Sequence, residues 1–149
     1  MPVQELKEST EHELEKLESD TERVEHELEE VERAIEALEA AMQRLESGGD
    51  DEVAAGLSQR LVEREQEKAR IQNEARRLAG DLKDARSRIV QVDKWNEEAR
   101  TEVTKLEGLG EDVGDAQNRI YERERWVETQ SEREKELEGR LEAVIGGYG

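Results

Sequence analysis

An unbroken heptad repeat in the first third of the chain constrains the fold more than any other feature. Ten consecutive positions, spaced alternately three and four residues apart, hold nine apolar side chains and one threonine. They are Leu14, Leu17, Thr21, Val24, Leu28, Val31, Ile35, Leu38, Met42 and Leu45. This spacing puts all ten on one stripe of an α-helix, and a sustained stripe of this kind is typical of the packing seam of a coiled coil. The segment therefore has to bury this stripe against another helix.

Two further segments carry the same periodicity, and glycine-rich breaks separate the three. The pattern predicts helices at 3–46, 52–107 and 116–145, turns at 47–51 and 108–115, and a tail at 146–149, all in one domain. Glycine favours the left-handed conformation that ends a helix, and Asp50, Asp51 and Asp115 are suited to cap the next one. The first turn is so short that the second helix must return antiparallel to the first.

These segments predict an all-α fold, an elongated antiparallel three-helix coiled-coil bundle with a two-stranded tip, where each strand of the coiled coil is a helix. Aligning the seams across the first turn sets Val31 beside Lys68 and brings Glu11 close to Arg86. The third helix is the shortest and has the most polar seam, so we expect it to cover only the later half of the second. The tip then consists of the first two helices alone.

Composition excludes several classes of function. Charged residues make up 43% of the chain, the net charge is −18, and residues 1–50 hold 17 acidic and 5 basic side chains. Nucleic acids and anionic lipids are bound by clusters of Lys and Arg, so we expect neither as a partner. The sequence holds no cysteine, no apolar run long enough to span a membrane and no leader-like start, which favours a cytoplasmic location. The acid excess fits a halophilic source and equally a Glu-rich coiled coil from an ordinary cytoplasm.

No residue pattern in the chain predicts catalysis, a metal or a cofactor. His12 and His26 are fourteen residues apart, roughly 21 Å along a helix, so they cannot share a metal ion. A catalytic carboxylate needs a pocket that shifts its pKa, and a thin helical bundle offers no such pocket. We therefore expect a protein that is not an enzyme.

Three groups of residues are candidates for contact with a partner protein. The first is the glutamate row at one flank of the first seam, and the second is a small-residue face on the same helix. The third comprises both tryptophans and the apolar C-terminal tail. The candidates are Glu18, Glu25, Glu32 and Glu39; Ala34, Ala37 and Ala41; and Trp95, Trp126, Ile145 and Tyr148. The tryptophans also fit an aromatic clamp that closes the bundle, and the tail also fits a frayed terminus.

The function predicted from these features is a non-enzymatic coiled-coil adaptor or spacer that mediates protein–protein assembly, including self-association. The alternative is an acidic binding module, or a chaperone-like inhibitor, that masks a basic protein surface with the glutamates of the first helix. Salt-sensitive binding to a basic protein distinguishes the alternative from the adaptor.

Overall fold

A computed structural model describes residues 2–146, and these residues form three α-helices and no strand. The helices are α1 (Pro2–Ser47), α2 (Asp51–Gly108) and α3 (Gly114–Gly146). The predicted all-helical fold, with three helices that pack together, is confirmed. Tyr148, one of the candidate contact residues, lies outside the described residues.

Both interhelical turns close with the same backbone motif, in which glycine provides the left-handed residue. Gly49 and Gly110 each have a φ of 82°, a conformation that other residues rarely adopt. In each turn, two backbone N–H groups bond to carbonyl groups of the last helical turn. The bonds run from Gly49 to Glu46 and from Asp50 to Leu45 after α1, and from Gly110 to Glu107 and from Glu111 to Leu106 after α2. They satisfy carbonyl groups that the end of a helix leaves without intrahelical partners.

Aspartates cap the two helices that follow. The carboxylate of Asp50 accepts the N–H of Val53 at 3.2 Å at the start of α2. At the start of α3, the carboxylate of Asp112 accepts the N–H of Gly114 at 3.2 Å. The second cap therefore comes from Asp112, whereas the spacing favoured Asp115, because the chain enters α3 earlier than expected.

Contacts divide the helices into two compact units. The first unit comprises the residues up to Glu18 together with Ala79–Gly139. The second comprises Ser19–Leu78 together with the residues from Arg140 onward. All three helices contribute to each unit.

In the first unit, one face of each helix is buried, and the buried positions other than Trp126 follow the heptad spacing. They are Thr10, Leu14 and Leu17 on α1; Leu82, Ala85, Ile89, Val92 and Asn96 on α2; and Ile120, Trp126, Gln130, Glu134 and Leu137 on α3. The Nδ2 of Asn96, a fully buried residue, donates to the carbonyl of Ile120 at 3.2 Å, which ties α2 to α3. The core of this unit is thus partly polar, as the seam of α3 predicted.

In the second unit, all three helices contribute buried apolar residues. Val24, Leu28 and Val31 of α1 are buried, as are Ile71, Ala75 and Leu78 of α2 and Leu141 and Val144 of α3. Gln72 donates to the carbonyl of Val144 at 3.3 Å. Arg23 contacts Glu74 and Glu32 contacts Lys68, so rising numbers on α1 meet falling numbers on α2, and these two helices are antiparallel.

Candidate partner-binding surfaces

Three glutamates of α1 bond to α3 in a regular ladder. Glu11 accepts from Trp126, Glu18 from Arg133 and Glu25 from Arg140, and in every pair the two residues are 115 positions apart. A constant difference in residue number means that α1 and α3 run parallel, and a seven-residue step on both helices is the heptad spacing. Each of these bonds lies within one unit. The first two belong to the first unit and the third to the second unit.

The ladder bonds differ in geometry. Arg140 donates to both carboxylate oxygens of Glu25, at 2.6 and 3.1 Å, which is the bidentate geometry that makes such pairs strong. Arg133 lies 3.4 Å from Glu18, whose side chain is 50% exposed, so this pair contributes little stability. Two of the four glutamates predicted to face a partner, Glu18 and Glu25, thus bond to α3.

The other two glutamates of the predicted face lie in the second unit, beyond the end of α3. Glu32 forms an ion pair with Lys68 of α2 at 3.2 Å, without the alignment of a hydrogen bond. Glu39 is exposed. Glu18 and Glu39 are therefore the exposed members of the predicted row, and Glu18 already has a contact with Arg133.

A second acidic row on α1, which sequence reasoning missed, is exposed throughout. In the second unit it comprises Glu22, Glu29 and Glu36, and in the first unit Glu8 and Glu15. The seven-residue spacing of these glutamates is visible in the sequence, where they directly follow Lys7, Leu14, Thr21, Leu28 and Ile35. With Leu14 as position a of the heptad, these glutamates occupy position b, which lies farther from the seam than position e of the predicted row, and this signal was sufficient to find the exposed row.

The small-residue face of α1 is partly open. Ala37 is exposed, and Ala34 and Ala41 are half-buried. The neighbouring seam residues Ile35 and Leu38 are also only half-buried, unlike Val24 to Val31. This stretch of α1 thus retains accessible apolar surface within the second unit.

The two tryptophans have different environments. Trp126 is 9% exposed, its Nε1 donates to Glu11 at 2.5 Å, and the Nζ of Lys7 lies 5.7 Å from its ring centroid. Trp95 on α2 is half-buried. The contacts of Trp126 match the structural clamp better than an anchor for a partner, because an anchor must be accessible.

At the C-terminal end of the described residues, Ile145 is half-buried in the second unit. Of the predicted tail at 146–149, Gly146 is the last residue of α3, and the other residues, Tyr148 among them, lie outside the described part of the chain. The docking role of the tail therefore stays a prediction.

The ion pairs between α2 and α3 differ from the charge alignment expected from the sequence. Arg86, expected near Glu11, contacts Glu134 and Glu138 of α3. Its Nε donates to Glu134 at 2.8 Å, and the side chain of Glu134 is only 4% exposed. Arg86 thus joins α2 to α3 through ion pairs, and the partner of Glu11 is Trp126 of α3.

The ion pair between Arg23 of α1 and Glu74 of α2 shifts the pKa values of both side chains. Arg23 donates to Glu74 at 2.6 Å, and this hydrogen bond is the main cause that holds the pKa of the Glu74 carboxyl below its usual range. Arg77, at 3.4 Å, lowers that pKa further, whereas partial burial opposes the shift. The same hydrogen bond raises the pKa of Arg23.

Within residues 2–146, no helix has the length and apolar character needed to cross a membrane. No group of three or more metal-binding side chains is found in the same range. Comparison of the chain with protein-family models, with curated proteins and with solved structures finds no match.

Proposed function

We propose that the chain is a non-enzymatic, cytoplasmic coiled-coil adaptor or spacer that mediates protein–protein assembly. In this proposal the helices interlock as a coiled coil, and α1 and α2 alone form a two-helix tip around their connecting turn. The tip offers a further helix a place to pack.

The partly exposed seam in the second unit is the observation that carries the proposal. Beyond Val31, the seam residues Ile35, Leu38, Met42 and Leu45 of α1 are half-buried, and so are Leu57 and Leu61 of α2, whereas the smaller Ala54 is buried. A seam buried by three helices has little exposure, as Leu28 and Leu78 demonstrate. Apolar side chains left half-open in a row provide the contact area that an additional helix buries.

Ala37→Glu tests the tip as a self-association surface. We expect the wild-type mass measured by light scattering to rise with concentration, and the rise to be lost in this variant, because a buried carboxylate would oppose packing. Ala40→Glu is the matched control, since Ala40 is an exposed alanine three residues away on the same helix. A wild-type monomer at every concentration, with no crosslink from the tip to another protein in native lysate, would contradict the proposal.

The proposal that the chain is not an enzyme rests on the state of its acidic groups. The most buried carboxylate of the first unit, Glu134, contacts Arg86, and Glu25 and Glu74 of the second unit bond to arginines. Ion-paired or exposed carboxylates are poor general bases, because a catalytic carboxylate needs a raised pKa.

The exposed glutamates of α1 favour a second candidate, an acidic module that masks a basic protein surface. Glu22, Glu29 and Glu36 present carboxylates at regular spacing, and their row is more open than the predicted row that includes Glu25 and Glu32. A regular array of carboxylates attracts a basic surface, and salt weakens that attraction.

The triple variant Glu22→Gln, Glu29→Gln, Glu36→Gln tests this candidate. We expect it to bind poly-L-lysine more weakly than wild type at low salt and to lose part of the salt dependence. A matched control replaces the exposed Glu52, Glu63 and Glu65 of α2 by Gln, with the same change in net charge. Equal weakening in both triple variants would show that only the total charge matters.

A further inference from the structure

A cationic cavity lies in the first unit, next to the start of α1. It has a volume of about 240 Å³ and is partly open to solvent. Its lining comprises Val3, Gln4 and Lys7 of α1 and Arg119, Glu122 and Arg123 of α3. Three cations and one carboxylate line this cavity, although the whole chain has a net charge of −18. The cavity thus has a local charge opposite to that of the protein.

The ladder between α1 and α3 explains why Arg119 lacks a carboxylate partner. Arg119 occupies the position on α3 that Arg133 and Arg140 occupy two and three heptads later. The constant offset of 115 puts Gln4 opposite Arg119, where the later rungs have a glutamate. The amide of Gln4 is a donor to Glu8, at 3.0 Å. At this first position of the ladder, Arg119 therefore provides a cation, and Gln4 stands where the later pairs have a glutamate.

The other two cations of the cavity, Lys7 and Arg123, are half-buried, so the absence of an anion beside them is more unfavourable than it would be for exposed side chains. Lys7 and Arg123 both fall on seam positions of their helices and are partly removed from water. In the part of the chain that the structure describes, no ion pair is found for Lys7, Arg119 or Arg123. Burial of an unpaired cation is unfavourable, and an anion within reach relieves the cost.

We propose that this cavity binds a compact oxyanion, a carboxylate or phosphate group, which takes the place of the missing glutamate opposite Arg119. The guanidinium of Arg119 binds two oxygens of the anion, and Lys7 and Arg123 supply further positive charge. Glu122 faces the same cavity and repels anions of high charge, so small anions are favoured over polyanions.

Nuclear magnetic resonance titration of the full chain tests the proposal, with inorganic phosphate and acetate as separate probes at constant ionic strength. The indole N–H signal of Trp126 serves as reporter, because Lys7 lies over its ring. We expect a saturable shift of this signal. Saturation by phosphate alone assigns a phosphate group, and saturation by acetate alone assigns a carboxylate. If neither probe shifts the signal beyond sodium chloride, the proposal is wrong.

Two variants locate the binding site. Arg119→Gln should weaken the saturating anion about tenfold, because it removes a charge-assisted hydrogen bond. Arg125→Gln, the same charge change on an exposed residue of α3, should leave the affinity unchanged. Equal weakening by both variants would overturn the assignment.

Gln4→Glu provides a test in the opposite direction. It restores the missing carboxylate, so we expect a higher melting temperature and a loss of anion binding. Unchanged anion affinity in this variant would place the anion elsewhere and overturn the proposal. These results do not depend on the adaptor function, since a chain without any protein partner gives the same titrations.

Discussion

At the residue scale, Trp126 combines three interactions at one position. Its ring is nearly buried in the first unit, its N–H bonds to Glu11, and Lys7 lies over its face. A buried tryptophan usually needs a hydrogen-bond partner for its indole nitrogen, and Glu11 provides it. Trp126 is therefore the donor to a glutamate of α1 at this position of the ladder, as Arg133 and Arg140 are at the later positions.

Replacement of Trp126 separates the ring from the hydrogen bond. We expect Trp126→Phe to lower the free energy of unfolding by about 1 kcal/mol through loss of the bond, and Trp126→Ala by about 3 kcal/mol through loss of packing. Urea denaturation measures both, and Tyr121→Ala is the control because Tyr121 is 60% exposed. Full stability in Trp126→Ala would indicate that the ring is kept for a partner.

Asn96 poses the opposite case, a buried polar side chain whose hydrogen bonding is incomplete. It is fully buried, and its Oδ1 has no hydrogen-bond partner among the described residues. We expect Asn96→Val to raise the free energy of unfolding by about 1 kcal/mol, since an unsatisfied buried acceptor is removed. We also expect a mixture of oligomeric states in sedimentation velocity, because a buried Asn at a seam position fixes one alignment.

Thr10→Val is the control for this substitution. Thr10 is also fully buried, but its hydroxyl donates to the carbonyl of Leu6 on the same helix, at 2.7 Å. It therefore has no role in the alignment of neighbouring helices. A single species in Asn96→Val, as in Thr10→Val, would contradict the alignment role.

At the scale of elements, the sequence predicted the three helices well, but it predicted poorly which face of each helix contacts its neighbours. Apolar spacing and glycines are local signals, so three helices followed from them directly. The partner of Glu18 is not a local property, because one seam pattern allows α3 to pack on either flank of α1. That choice decides whether Glu18 meets Arg133 or solvent. The adaptor surface around Ala37 and Glu39 stays a prediction for the same reason.

The contact between α1 and α2 should have a characteristic pH dependence. Arg23 lowers the pKa of Glu74 in the folded protein. A lowered folded pKa gives stability that is present above the unfolded pKa and is lost as the pH falls through the folded pKa. Glu74→Gln should therefore cost up to about 1 kcal/mol near neutral pH, a limit set by partial exposure, and nothing in strong acid.

Urea denaturation of wild type and variant at both pH values measures this difference. Glu63→Gln, an exposed carboxylate on the same helix, is the control and should match wild type throughout. A cost of Glu74→Gln that persists in acid would show that the amide disturbs packing and that the charge is not the cause.

At the scale of the whole molecule, charge opposes the folded state. The chain has 41 acidic residues against 23 basic ones, so we expect repulsion to outweigh attraction despite the ion pairs between helices. Salt at about 1 M shortens the screening length to about 3 Å, which removes long-range repulsion and leaves close pairs less affected. Screening should therefore stabilise the protein.

We expect the melting temperature to rise from low salt to about 1 M potassium chloride, by roughly 4 °C for each 1 kcal/mol of relieved repulsion. Circular dichroism at 222 nm, the usual helix signal, follows the transition. A fall in melting temperature would mean that the ion pairs outweigh the net repulsion, and it would also count against a halophilic source.

The ladder between α1 and α3 has a consequence for the route by which the chain folds. Its bonds join residues 115 apart, whereas Arg23 and Glu74 are 51 apart and Asn96 and Ile120 only 24 apart. Contacts between distant residues require closure of a longer loop and tend to form late. The helical hairpins should thus assemble before the ladder, and loss of a rung should accelerate unfolding while refolding keeps its rate.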